Sequence, residues 1–434
     1  MTRLLQQREI TAVEVTTACL DRMRQYDPAL KAFRQVRSDE ALAEATESDR
    51  RGERLGVLDG VPVAVKDNIN VVGAVTRSGL GARGEQAAER DADIVQRLRA
   101  AGAVILGHLN MHEGGLGAIT DNPHNGRTNN PWRLGFTPGG SSGGSAVAVA
   151  AGFSPIALGT DTLGSVRLPA AYCGVVGYKP SHGRLINDGI EPLCRRLDQV
   201  GPIARSVADL RLFMEALEGK RTLGRPIDLD ELRIGRLREF DDVVLSDDVR
   251  RAFENSLYRL TQAEVITTDV SIEGLQPHRL HLAGLLLAEA EAAHHFVEDR
   301  QRFPDAFSAD FATMLDVGAR AEKKKILEAE QLIDNVREKF EVLFEGVDLL
   351  ITPTAPQTAF SFDAKVPNNQ VNLTALANVA GAPAISLPIP SVDLPVGLQL
   401  IGRRGADDLL LQAARSMERD LGFAAQPLAL EEME

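Results

Sequence analysis

The hydrophobic period of this chain changes twice between Gly60 and Leu106, and no other stretch limits the fold as tightly. Gly60-Val-Pro-Val-Ala-Val65 is a short, largely β-branched run, opened by Asp59-Gly60 and closed by the polar Lys66-Asp67-Asn68. It predicts a buried strand with a polar tip. Asp93–Ala101 then has helical spacing, Gly102 stands where a helix cap belongs, and Ala103-Val-Ile-Leu106 predicts the next strand. Strand, helix and strand in that order predict a parallel, helix-covered sheet.

The rest of the chain extends this pattern. Thr11-Ala-Val-Glu14 is a capping box ahead of a helix over 10–24, and an Ala/Glu-rich helix follows over 38–52. Strands are predicted at Pro155–Leu158, Leu349–Thr354, Ala384–Leu387 and Val396–Ile401, and helices after Ser206 and over Asp407–Leu421. Residues 220–345 read as amphipathic helices (247–263, 281–300, 318–343) joined by loops. Residues 107–138 hold no long periodic run, and a loop that long inside a compact domain points to function.

With 434 residues, 44% hydrophobic and 25% charged, the chain can bury a large core. Its net charge of −13 argues against nucleic acid, because phosphate binding needs Lys/Arg patches. The one dense basic run, Lys323-Lys324-Lys325, is flanked by glutamates and reads as a solvated helix face. Three cysteines without CxxC spacing fit a reducing compartment, no apolar run is long enough to span a bilayer, and no signal-peptide core opens the sequence. The expectation is a cytoplasmic protein without a membrane partner.

Two serine-bearing glycine loops lie in one stretch: Gly139-Gly140-Ser141-Ser142-Gly143-Gly144-Ser145, and Gly159-Thr-Asp161-Thr162-Leu163-Gly164-Ser165-Val-Arg167. Such loops can expose a serine with backbone N–H groups aimed at its target. The first lacks the GK[ST] ending of a phosphate loop and the pattern of a dinucleotide site. His112-Glu113 has Leu116 where a zinc protease needs a second histidine, His294 and His295 point apart on a predicted helix, and no Gly-x-Ser-x-Gly elbow is present. No metal site and no cofactor are expected. A Ser-His-Asp triad stays open on spacing alone. A serine nucleophile needs a base, and a lysine neutralised by burial can serve. Lys66, at the end of a buried strand, is the candidate; a structural lysine paired with Asp67 or another carboxylate is the alternative.

Taken together, Gly60-Val-Pro-Val-Ala-Val-Lys66-Asp-Asn, the two glycine loops, Pro169 to Pro180, Leu197-Asp-Gln-Val-Gly-Pro202, Leu349–Pro356 and Leu394–Gly402 resemble the amidase signature family over about residues 5–420. The resemblance implies a single α/β domain over 1–434. Its sheet would be mixed and mostly parallel, covered on both faces by helices, with core motifs at about 58–205 and 347–402 and a helical, substrate-shaping segment at about 220–345. It implies a Ser–cis-Ser–Lys triad: Lys66 as base, Ser141 as bridging serine after a cis peptide bond, and Ser165 as nucleophile. The backbone N–H groups of Thr162, Leu163, Gly164 and Ser165 would form the oxyanion hole. Ser142, Asp161 and Arg167 would support the loops. Met111, Trp132, Gly139, Gly140, Ile190 and segment 303–318 are candidates for shaping the substrate pocket. Leu163 stands where the family often has glycine, so its side chain must turn away or crowd the acyl group.

The activity implied is hydrolysis of a small carboxylic amide, in a protein of the kind that commonly forms homodimers. The alternative is the glutaminase subunit of a tRNA-dependent amidotransferase. Leu168, where that subunit typically has Gln, favours the free-standing enzyme. An inactive member kept as a binding module is the third reading, opposed by the presence of all three triad residues.

Overall fold

Eleven strands pair into one sheet in the computed structural model, which describes residues 1–81, 86–219, 224 and 227–423. They are β1 (Phe33–Val36), β2 (Pro62–Lys66), β3 (Val104–Leu109), β4 (Ile156–Asp161), β5 (Val176–Lys179), β6 (Gln199–Ala204), β7 (Arg233–Leu237), β8 (Ile266–Val270), β9 (Leu349–Pro353), β10 (Ala384–Ile389) and β11 (Val396–Gly402). Their order across the sheet is β1-β3-β2-β4-β6-β5-β10-β11-β9-β7-β8. The expected pairing of β2 with β3 is parallel, as is that of β2 with β4. Parallel pairing returns at the far side, where β7 lies between β9 and β8.

The sheet is mixed, and its parallel pairings form two blocks. The six antiparallel pairings outnumber the four parallel ones. The reason is partly connection length: the short link from Ile389 to Val396 can only return the chain antiparallel.

Most predicted helices form close to their expected bounds. Thr11 caps Ala12–Leu30 through a complete capping box, and Ser206 caps Val207–Glu218. The helical reading of 220–345 needs correction, because β7 and β8 lie inside it. Their β pattern is hidden by polar residues: Arg233 and Arg236 in β7, and the exposed Thr267, Thr268 and Asp269 in β8, which forms the sheet edge. The helix expected over 281–300 is Pro277–His295 with a break at Phe296, and 318–343 resolves into Ala309–Ala319 and Lys323–Leu343. One apolar core surrounds β2, β3, β4 and β6. A second joins the helices of 277–343 to Leu373–Ala384. Among the described residues, no helix is long and apolar enough to cross a membrane.

Candidate active site

Parallel pairing brings the polar ends of β2 and β4 together. Val65 lies in register with Leu158, so the next residues up, Lys66 on one strand and Thr160 and Asp161 on the other, emerge at the same end. Each residue of β2 is buried, which takes Lys66 out of water (0% exposed). Facing it is the loop before the helix Gly143–Ala150. That helix is built from small residues because it sits on backbone: a Cβ at Gly144 would lie 2.3 Å from the Asn110 carbonyl oxygen. This close seating fixes the loop, in which the Gly140–Ser141 peptide bond is cis.

Lys66 Nζ donates to Ser141 Oγ at 2.8 Å and to Thr160 Oγ1 at 2.9 Å, and Asn68 Nδ2 donates to the same threonine oxygen at 3.1 Å. Burial pulls the Lys66 ammonium down to about 7, against the carboxylates of Asp198 and Asp161, which favour the charged form. Among the described residues Lys66 Nζ bonds only these two hydroxyls and lies in no ion pair, and Asp67 pairs instead with Arg34 at 2.7 Å, so Lys66 is not a structural ion-pair lysine.

The second glycine loop is tied to the first. Ser142 N–H donates to the Ser165 carbonyl at 3.2 Å, and Ser142 Oγ donates to the Thr160 carbonyl at 3.2 Å. Ser165 is half-buried. Among the described residues, the N–H groups of Thr162, Leu163, Gly164 and Ser165 donate to no protein acceptor. Gly164 has φ +136°, and a Cβ there would strike Thr374 Oγ1 at 2.2 Å, so only glycine lets this loop pass. Beneath it, Arg167 grips Asp161 twice (2.8 and 3.0 Å) and also donates to Thr374, Gln399 and Asn378. Both charges are fully buried, and the pairing holds the Asp161 carboxyl down at about 2. Asp161 and Arg167 therefore brace the loop.

A cavity of about 310 Å³ opens over this centre. Ser141, Thr160 and Thr162 form part of its wall, with Asn68, Gly115 and residues of the loop 182–200, among them Ile190. Lys66 lies behind Ser141 and Thr160. Gly139 and Gly140 shape the loop carrying Ser141 without lining the cavity. Met111 is buried behind Gly115, 3.7 Å from where a Cβ would stand. Trp132 is elsewhere: its indole N–H donates to the Cys173 carbonyl, and its ring packs with Leu168 and Tyr172. Its amphipathic ring is satisfied inside the core, so the expectation of a substrate contact from Trp132 is not met. Segment 303–318 backs the wall through Phe311, which fills the space beside Gly114. Leu163 turns away from the cavity and packs against Gly284 of the helix Pro277–His295.

Several polar wall residues escaped the sequence reading, among them Thr160, Glu191 and Asp198. Thr162 Oγ1 donates to Asp198 Oδ1 at 2.6 Å, and the N–H groups of Leu193 and Cys194 donate to Oδ2. Burial raises this carboxyl to about 6. Thr160 and Asp198 lie within the motifs that carried the resemblance, and their polarity beside strand ends was the available signal.

A buried lysine on a serine hydroxyl, beside a loop of unengaged N–H groups, is the equipment of a serine-dependent acyl-transfer hydrolase. The comparisons agree. The Amidase family model matches residues 14–411. The chain is 36% identical to a subunit of the glutamyl-tRNA(Gln) amidotransferase of Moorella thermoacetica, over 97% of this chain and 95% of that protein. Among solved structures, an amidase superposes with a TM-score of 0.91 at 33% identity, covering 97% of this chain and 99% of the other. The corresponding amidotransferase subunit from Thermotoga maritima gives 0.80 at 30%, covering 96% and 93%. The chain belongs to the amidase signature family and is a hydrolase of the amidase class.

Proposed function

We propose that the protein is a free-standing amidase that cleaves the C–N bond of a small carboxylic amide, with Ser165 as nucleophile and Ser141–Lys66 as its proton relay. The observation that carries this reading is the 2.8 Å contact between Lys66 Nζ and Ser141 Oγ at the wall of the cavity.

Above about pH 7 the Lys66 amine is neutral and offers a lone pair. Ser165 Oγ attacks the amide carbon. Its proton passes to Ser141 Oγ as Ser141 gives its own to Lys66 Nζ. The negative charge on the former carbonyl oxygen is met by the N–H groups of Thr162–Ser165, each such donor being worth about 3 kcal/mol in comparable sites. As the intermediate collapses, the proton returns through Ser141 to the leaving nitrogen. Ammonia or amine departs, and Ser165 carries an ester. Water then attacks that ester, losing its proton to the same relay, which returns it to Ser165 Oγ as the acid is released. A cavity of this volume suits a small amide. The amide is then the only partner required, with no nucleic acid.

The 36% identity to an amidotransferase component supports a second reading, a glutaminase that works within a complex on glutamyl-tRNA. Leu168 does not decide between the two, because it is fully buried against Trp132 and Tyr172 rather than in the cavity. The test is ammonia release from amides of graded size and charge, glutamine included, with Ser165→Ala as control. Turnover of simple amides lost in Ser165→Ala supports the proposal; a Ser165→Ala protein that still hydrolyses them removes it. Glutamine as the preferred substrate would favour the second reading.

A further inference from the structure

The far wall of the cavity is the loop 182–200, and its polar side chains are already engaged with the protein. Asn187 accepts from the Val200 N–H and donates to the Asp198 carbonyl; Gln199 accepts from the Gly183 N–H and donates to the Leu185 and Val200 carbonyls, all at 2.8–3.2 Å. Thr162, Leu193 and Cys194 occupy both oxygens of Asp198, and His295 and Ser78 those of Glu191. Among the described residues, the wall's two buried polar side-chain atoms without a partner, Asn68 Oδ1 and His182 Nδ1, are closed to water and so to a ligand in the space. Burial also keeps His182 below its ordinary range and so neutral near pH 7. The Arg195 guanidinium is 75% exposed and lies 3.7 Å from the Glu291 carboxylate, so it stands in solvent at the rim.

What this loop offers a ligand is hydrocarbon. Ile186 is 47% exposed on the wall, beside the half-buried Ile190, whose backbone is pinned by a bridge to Ile69. Leu193 bounds the reacting end. A Cβ at Gly115 would lie 3.7 Å from Met111 Cε, 3.8 Å from Leu193 Cδ2 and 4.0 Å from Ser141 Oγ, so the bare glycine leaves an apolar recess next to the relay serine. A charged group laid against this wall would lose water and find its would-be partners already bonded. A hydrocarbon chain would instead take Ile186 and Ile190 out of water. With ammonia as the leaving group, the acyl chain is the part that fills the space. We propose that the cavity is a hydrocarbon subsite, so that the preferred substrates are primary amides of aliphatic acids of about four to six carbons, and charged acyl groups are turned away. The inference deepens the amidase reading and rests on it for its meaning, but the subsite itself can be tested by binding alone.

The probes are the plain amides from acetamide to hexanamide, with ω-amino and ω-carboxy amides of matching length. In active enzyme kcat/KM is expected to rise about fourfold per added methylene until the cavity is full. Both charged forms should fall about tenfold or more below the plain amide of equal length. Ile186→Ser, at a partly exposed position, and Leu193→Ala should each lower the hexanamide-to-acetamide ratio by about fivefold, in protein shown by its melting curve to be folded. A flat ladder overturns the subsite. So does a charged form that outruns its plain counterpart, or a ratio unmoved by Ile186→Ser. Titration calorimetry of the same amides on Ser165→Ala reads the subsite without turnover. The ladder in binding, with no hydrolysis by the parent enzyme, would keep the subsite and sink the amidase reading; hydrolysis by the parent with no ladder would do the reverse, so the two failures are told apart.

Discussion

Among the described residues two lysines are buried at strand ends, alike in burial and in the lowering of their pKa, and different in what they touch. Lys66 ends β2 and Lys179 ends β5. They are 0% and 1% exposed, and burial pulls both ammonium groups down to about 7. Asp161 acts on each; Lys179 also feels the opposing charge of Arg167. The difference is what Nζ touches. Lys66 Nζ meets two hydroxyls that line the cavity, whereas Lys179 Nζ donates to the Pro180 carbonyl at 2.9 Å. A hydroxyl can accept one proton while giving up another; a carbonyl can only accept a hydrogen bond. A lowered lysine pKa thus reports burial, and a base is identified by a partner that can pass a proton on to a reacting atom.

The most forceful way to break this comparison is to remove each lysine in turn. Lys66→Met should lower kcat/KM by on the order of a thousandfold, within the range for loss of a general base. Lys179→Met should stay within about tenfold of the parent in protein that remains folded. Melting curves establish the folded state, and ammonia release gives the rates. Comparable losses in the two folded variants would mean that Lys66 has no privileged role.

Much of this contrast was legible in the sequence, though unevenly. The period change around Gly60–Val65 placed Lys66 at the end of a buried strand, and the strand–helix–strand order gave the parallel pairing of β2 with β3; the pairing of β2 with β4, which brings Thr160 alongside Lys66, was not read. Other strands were illegible for physical reasons. β7 and β8 mix charged and threonine residues with their apolar ones, and β5 carries Gly177, Tyr178 and Lys179, so a periodic apolar signal is weak. Trp132 was read as a pocket residue because it lies in a loop, and sequence cannot reveal that the Cys173 carbonyl waits for its N–H inside the core. The direction of Leu163 depended on the absence of a side chain at Gly284, more than a hundred residues away. Asp198 could be placed in a motif, but its position beside Thr162 depends on the pairing of β4 with β6.

The pH dependence of rate and stability sharpens the comparison further. With the Lys66 ammonium at about 7, kcat/KM should rise with pH through about 7 and then level off, since only the neutral amine accepts a proton. Asp198→Asn removes a charge that favours the ammonium, so it should move that limb to lower pH. The absolute rate should also fall, because Thr162 loses a carboxylate partner. Lys179→Met should leave the limb where it is. Stability separates the two properties in another way. Each lysine has a folded pKa well below its unfolded value, so between about 7 and 10.5 the unfolded chain binds more protons and stability rises with pH; below about 7 both states are protonated and the full penalty is present. The difference in melting temperature between parent and Lys179→Met should therefore shrink as pH rises from 7 toward 9, while the rate limb stays fixed. A limb that follows Lys179 instead would transfer the role of base.

The smallest expected effect concerns the second hydroxyl on Lys66. Thr160→Val keeps the side-chain volume and removes the oxygen that accepts from both Lys66 Nζ and Asn68 Nδ2. Losing an acceptor from a buried ammonium costs about 1–3 kcal/mol, felt mainly by the charged form. Two consequences oppose each other. The amine becomes neutral at lower pH, which widens the active range, but Lys66 loses one of the two contacts that hold Nζ against Ser141, which slows proton transfer. Near neutral pH the net change should be a fall of roughly fivefold in kcat, smaller than the effect of removing Lys66 and smaller below pH 7 than above it, because the lowered pKa offsets part of the positioning loss where the parent lysine is protonated. Rates measured at pH 6 and pH 9 decide which contribution dominates. A Thr160→Val enzyme indistinguishable from the parent at both would mean that Ser141 alone holds the base. Lys179 offers no matching experiment: its partner is a backbone carbonyl, which no side-chain substitution removes.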